Sequence, residues 1–205
     1  LRFWPTGLFY QGEAFMEGNS FYEMTAEEVI MSRASALKLD GPAPTPEHLE
    51  QILAAADRAP DHGRIRPWRV VVAQGSGIAT FGNLLADSLK RRRADASEGD
   101  LERERAKAAR APMILVVSAA VDRQSKVPEV EQVLAVAAAV QNMFLMAHSL
   151  GYGAMWKTGD PAYDAGFKRD LKIAGDDPIV AFLYLGTPIE MGAVRSPVVD
   201  FARSI

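Results

Sequence analysis

Leu49, Ile52, Leu53 and Ala56 recur at i, i+3, i+4 and i+7, the spacing that turns one stripe of a helix toward a core. Thr45 and Pro46 supply its start: a side-chain oxygen for the first turn, then a proline whose missing N–H costs nothing there. The pattern predicts a helix from Pro46 to near Arg58. Upstream, Thr25 stands three residues before Glu28, a capping box for a short helix running to about Arg33. Gly41 and the prolines that follow mark a loop between the two.

The period then changes. "WRVVVAQ" at 68–74, "APMILVVSA" at 111–119 and "IVAFLYLG" at 179–186 read as strands. Gly75 and Gly77 lead into a helix with Ile78, Phe81, Leu84, Leu85 and Leu89 on one side. It continues into "KRRRADASEGDLERERAKAAR" at 90–110, where acids and bases interleave. From Glu129 to Leu150 runs an alanine-rich helix, apolar on most sides and ended by Gly151. Its longest unbroken apolar run is too short to cross a bilayer, so a domain centre or a second subunit must cover more than one face. Asp160 and Pro161 open a last helix with Phe167 and Leu171 on one face, which leaves "YGAMWKTGD" as a loop between helices. Strands separated by helical segments predict an α+β or three-layer α/β domain.

Composition narrows the function. At 205 residues and 22.3 kDa one domain is expected, starting at Met24, with residues 1–23 as an N-terminal extension and 24–205 as the domain. A net charge of −3 gives no electrostatic reason to expect nucleic acid or an anionic membrane as partner. The chain contains no cysteine, which removes disulfides, thiolate metal sites and cysteine nucleophiles and fits a reducing, cytoplasmic location. His48, His62 and His148 are far apart and lack metal-ligand spacing, so no metal is expected.

Candidate chemistry is sparse. "GSGIAT" lacks the third glycine of a dinucleotide fingerprint and reads as a strand-to-helix turn. Lys90 to Arg93 precede a run of acids and read as a solvated helix face with intrahelical pairs. Glu129 and Glu131 do not face each other on a helix, and stabilisation of the helix N-terminus suffices for them. His48 is expected exposed, and His148 packed or at an interface. "RAPDHGRIRPWRVVV" at 58–72 differs: cations, an imidazole and Trp68 crowd a proline-bounded turn from helix to strand, where an anionic or strongly polar ligand could be held. Arg33 and Ser35 add a bidentate phosphate donor and a hydroxyl. Trp156, Lys157 and Thr158 add an aromatic platform, a cation and a second hydroxyl.

Taken in order, "SRAS" at 32–35, "PAPTPEHLEQILAAADRAPDHGRIRPWRVVV" at 42–72, "APMILVV" at 111–117, "KVPEVEQ" at 126–132, "GYGAMWKTG" at 151–159 and "FLYLGTP" at 182–188 resemble the flavin-dependent nitroreductase family, in its short single-domain bacterial branch. The resemblance implies an α+β, three-layer α/β/α fold with a central mixed sheet and a long buried helix at a homodimer interface that holds FMN. It implies NADH or NADPH as electron donor, a ping-pong cycle, and nitroaromatic, quinone-like or related small-molecule acceptors. Arg33, Ala34 and Ser35 would approach the FMN phosphate and ribityl chain. Arg58 and His62 would reach the flavin of the partner subunit, and Trp156, Lys157 and Thr158 would line it from the other side. A nearby Lys157 or Arg58 would favour the negative charge that reduction places on the flavin. Hydride moves at N5 of the cofactor, so no side chain need act as nucleophile or general base. The family's pattern is close to R-R-S-x-x-R; here Ala34 replaces one arginine, and Lys38 is the nearest substitute for another. A flavin-binding or flavin-consuming protein of the same fold, without nicotinamide-dependent turnover, is the alternative.

Overall fold

The computed structural model describes residues 24–196, 198, 202 and 203, so the extension at 1–23 lies outside the described residues. Helix α1 (Ala26–Ser32) starts with the predicted capping box: the Thr25 hydroxyl accepts from the Glu28 N–H at 3.2 Å, and the Glu28 carboxylate accepts from the Thr25 N–H at 2.8 Å. Helix α2 (Pro46–Ala56) has Thr45 as its cap and Pro46 in its first turn. Between them lies β1 (Ala36–Asp40), a strand where the sequence pattern gives a loop. Only Ala36 and Leu39 of β1 are buried, so it shows no alternating signal; it is a strand because β5 pairs with it.

Strands β2 (Trp68–Gln74), β3 (Met113–Ala119), β4 (Gly153–Lys157) and β5 (Ile179–Met191) complete the sheet. The order is β1-β5-β3-β2, with β4 also paired to β5. Leu185 faces both Met113 and Ala154, so β3 and β4 flank opposite edges of β5. Every pairing among the described residues is antiparallel, which corrects the expected mixed sheet. The β2–β3 connection shows the cause. Gln74 lies opposite Met113, so the chain leaves and re-enters the sheet at the same end and makes no crossover.

That excursion contains two helices rather than one continuous run. Helix α3 (Ser76–Arg92) ends where Arg93 turns extended, and α4 (Glu98–Ala106) begins at a second capping box, Ser97 with Asp100. The Ser97 hydrogen bonds hold the Asp100 carboxyl down to about 2. Arg91 and Arg92 do not pair within their helix. They reach Asp164 at 3.0 Å and Asp160 at 2.6 Å, on the segment that leads into α6 (Ala165–Asp170).

The sheet separates two apolar clusters, giving the three layers. Met113, Leu115 and Val117 face α2 and the long helix α5 (Glu129–Ser149), against Ile52, Val136, Val140 and Met143. Ile114 and Val116 point the other way, as the period of two requires, toward α3 and α6. There Phe81, Phe167 and Phe182 meet edge to face at 5.7 to 5.8 Å. By length and composition α5 could cross a membrane. Here it packs on the sheet, and the buried Gln132 anchors its first turns by accepting from Asp122 N–H and donating to the carbonyls of Asp122 and Val127. Within one chain the cover is partial: Val130 and Leu134 are 62% and 60% exposed.

Candidate functional site

The turn from α2 into β2 is held by side chains that the sequence places beside it. His62–Arg64 form one tight turn, closed by the Arg64 N–H on the Asp61 carbonyl at 3.2 Å, in which Gly63 has φ 75°. Arg64 and Arg66 also lie in the left-handed region, at φ 55° and 51°. Asp61 accepts from the Arg66 N–H at 2.6 Å, and the Arg69 guanidinium donates to the carbonyls of Arg66 and Trp68 at 2.9 and 2.8 Å. Arg69 is therefore a brace for the turn rather than a solvated charge. Arg58 is exposed at the end of α2 and forms no ion pair with any described residue.

His62 is engaged from α5. Its Nδ1 lies 2.6 Å from Glu131 Oε2. A carboxylate only accepts, so Nδ1 carries the proton and Nε2 remains for a second contact. The sequence pattern gives Glu131 only a helix-terminus role. Its bond to a residue 69 positions earlier has no local signature.

A second group forms at the other end of α5. Arg33 leaves α1 with its guanidinium carbon 4.8 Å from the centre of the Phe144 ring. Ser32 Oγ lies 2.6 Å from the Glu28 carbonyl and 2.9 Å from His148 Nε2. The hydroxyl has one proton, which goes to the carbonyl, so His148 donates through Nε2. Burial, and then the Arg33 charge, push the His148 pKa below its ordinary value. Ala34 is buried, whereas Ser35 is exposed and its carbonyl accepts from Gly192 N–H at 2.9 Å. Lys38 is exposed on β1, opposite Glu190 in the register. His48, expected exposed, is half-buried with Nδ1 2.8 Å from the Tyr152 hydroxyl and ties α2 to the start of β4.

Trp156 and Lys157 lie in β4 and not in a loop between helices, opposite Leu183 and Phe182 of β5. The Trp156 indole donates to the Val180 carbonyl at 3.1 Å, which fixes a ring that remains 37% exposed. Thr158 follows, exposed, at the strand end.

Helix α5 measures how far apart these groups lie. Glu131 holds His62 and Phe144 holds Arg33, and thirteen residues at the helical rise place those two points about 20 Å apart. One chain therefore does not bring Arg33 and His62 to a single point. Their charges are alike in one respect. Arg91, Arg92, Arg93 and Arg105 are matched to carboxylates, whereas Arg33, Arg58 and Lys157 form no ion pair among the described residues. No cluster of three metal-ligating side chains occurs among the described residues. A cleft of about 780 Å³ lies at the far end of the sheet by Asp40, Gln74, Ser76 and Pro112 and includes none of these site residues.

Residues 30–187, most of the chain and every candidate site residue from Arg33 to Thr158, match the model of the family described as Nitroreductase. The chain belongs to the nitroreductase family. It is 36% identical over 165 residues to YdjA of Escherichia coli (strain K12), provisionally named an NAD(P)H nitroreductase, covering 80% of this chain and 89% of that one. A relative from Haemophilus influenzae with the same provisional name is 31% identical over 178 residues, covering 86% and 96%. Among solved structures, a nitroreductase-like family protein from Bacillus cereus superposes with a TM-score of 0.75 at 25% identity, covering 89% of this chain and 96% of its own. A Desulfovibrio desulfuricans protein, provisionally called a nitroreductase and solved in complex with FMN, shares the fold with a TM-score of 0.70 at 24% identity, covering 89% and 98%. The nitroreductase family thus accounts for the α+β architecture.

Proposed function

We propose that this nitroreductase-family chain is an FMN-dependent oxidoreductase that takes electrons from NADH or NADPH and passes them to nitroaromatic, quinone-like or related acceptors in a ping-pong cycle. It works as a homodimer with one FMN at each of two equivalent interface sites. The names of its relatives and the FMN held by a protein of the same fold support the cofactor. The observation that carries the reading is the family match over residues 30–187; within it Arg33, Arg58 and Lys157, which form no ion pair among the described residues, lie in the segments that resemble the family's flavin contacts. That donor set fits a phosphate ester and a ring system that gains negative charge.

When bound, FMN supplies the hydride acceptor and donor at N5. Arg33 and Ser35 bind its phosphate end, with Arg33 kept in place by the Phe144 ring. Arg58 and His62 come from the other subunit, presented by an elbow that Asp61 and Arg69 hold in shape. Trp156 and Lys157 line the ring from β4, where Lys157 favours the reduced state by its charge. Two-fold pairing along α5 resolves the separation of about 20 Å, because it brings one chain's Arg33 end beside the other's His62 end.

The test is the visible spectrum of the purified protein after FMN loading and desalting, followed anaerobically by NADH and then NADPH. A retained flavin spectrum that bleaches is expected. A retained spectrum that neither nucleotide bleaches would instead identify a flavin-binding protein without nicotinamide turnover. Arg58→Ala and His62→Ala should each weaken FMN binding by about 1.5 to 3 kcal/mol, the range for a hydrogen bond to a charged group. Unchanged affinity in both would remove them from the flavin site.

A further inference from the structure

The elbow carries more cation than the flavin contacts use. Beside Arg58 opens a cleft of about 480 Å³, lined by Asp57, Arg58, Asp61, Arg64, Arg66 and Trp68. That volume is in the range of small-molecule sites. Its two acids are already engaged: Asp61 by the Arg66 N–H at 2.6 Å, and Asp57 by Arg66 Nε at 3.4 Å. Arg58 and Arg64 have no carboxylate partner among the described residues. Trp68, partly buried against the core, is also one of the residues that line the cleft.

The backbone adds a second, independent observation. Arg64 and Arg66 lie at φ 55° and 51°, where glycine is unstrained and an arginine is not. Among the described residues, the bonds that hold the turn do not involve the Arg64 side chain, and the Arg66 side chain contributes only its exposed ion pair to Asp57. Asp61 grips the backbone of Arg66, and Arg69 grips the carbonyls of Arg66 and Trp68. The Arg64 guanidinium is thus kept at a strained position whose shape does not depend on it, beside an Arg66 side chain held only by an exposed pair. Strain retained beside a cleft points to a ligand for the group that carries it.

We infer that this cleft seats the phosphate-bearing adenosine end of the donor nucleotide, with guanidinium forks on the phosphate and the Trp68 indole beneath the base. The choice of a dinucleotide rests on the oxidoreductase reading; the chemistry of the cleft, forked cations beside an aromatic plane, is that of a nucleotide phosphate. Continuity through Arg58 sets the cleft next to the proposed flavin contacts, so one extended donor can span both. The phosphate is either the pyrophosphate common to NADH and NADPH or the 2′-phosphate of NADPH alone.

The experiment uses the FMN-loaded protein, with ADP, adenosine 2′,5′-bisphosphate and inorganic phosphate titrated calorimetrically into wild type, Arg64→Gly, Arg66→Gly and the double variant. Glycine removes the guanidinium, suits the left-handed angles and keeps the Arg66 N–H for Asp61, so thermal stability and FMN retention should hold. The double variant should bind the nucleotide at least about tenfold more weakly. Equal loss for ADP and the bisphosphate assigns the pyrophosphate; loss for the bisphosphate alone assigns the 2′-phosphate, with KM for NADPH rising and that for NADH unchanged. Wild-type affinity for both nucleotides in the double variant would overturn the inference, as would a loss no greater than that seen for inorganic phosphate. Nucleotide binding is read without turnover, so failure of flavin bleaching and failure of this cleft are separate results.

Discussion

Glu131 and His62 form an exposed pair, with side chains 43% and 67% accessible, so their bond contributes at most about 1 kcal/mol to folding. Its consequence is orientation, because the carboxylate selects the protonated nitrogen and the rotation of the ring. Glu131→Ala should therefore leave stability nearly unchanged and weaken FMN binding. Combined with His62→Ala it should add almost nothing, a coupling that a double-mutant cycle reads directly. Losses that simply add would show that Glu131 does not act through His62. His148 has a different consequence. Its folded pKa lies below its ordinary 6.5 because of burial and then the Arg33 charge. The unfolded chain thus binds the proton more readily, so the stability tied to neutral His148 is complete above pH 6.5 and is lost as the pH falls through the folded value. Urea midpoints measured downward from pH 7.5 should decline, and His148→Gln should flatten that decline; an unchanged slope would remove His148 as its source.

At the scale of elements, one glycine joins three pieces of chain. A Cβ on Gly153, at the head of β4, would stand 2.6 Å from Leu39 Cδ2 of β1, 2.9 Å from Pro188 Cβ of β5 and 3.1 Å from Ala36 Cβ. The leucine tip can rotate away, but the proline ring cannot. Gly153→Ala should destabilise the fold by about 1 to 3 kcal/mol, as overpacking does, visible as a lower urea midpoint with an unchanged m-value. The same junction shows what was legible in the sequence. The helices α1, α2 and α5 and the strands β2 and β3 carry their own caps or periods and are readable within a few residues. β1 and β4 are not, because each is short, has no alternating pattern and is a strand only through β5, which lies far along the chain. The α3–α4 break is obscured for another reason: the capping box of Ser97 and Asp100 lies in a stretch so charged that it reads as one polar run. For the proposed site, residue types, order and the family resemblance give Arg33, Arg58, His62 and Lys157 as expectations, which the flavin-binding variants test. Glu131 and Ser32 acquire roles only through contacts 69 and 116 residues apart.

For the whole molecule, the separation along α5 gives the sharpest distinction. If each FMN takes Arg33 from one chain and Arg58 and His62 from the other, the two defects can be carried on different chains and still leave one intact site. Chains bearing Arg33→Ala and chains bearing Arg58→Ala with His62→Ala should each retain little flavin as homodimers. When they are mixed, unfolded and refolded together, half the dimers are hybrids by statistics, and each hybrid has one site with both defects and one with neither. Flavin retention should return to about a quarter of the wild-type sites, a consequence of two-fold symmetry. Were all contacts made within one chain, every site in the mixture would keep a defect and retention would stay at the level of the parents. The exposed Val130 and Leu134 stripe on α5 supplies apolar surface for such pairing. Leu134→Asp should then yield monomers in sedimentation velocity and lose flavin at the same time, because a separated chain holds Arg33 and His62 against points about 20 Å apart along α5 and can present only one of them to a given FMN.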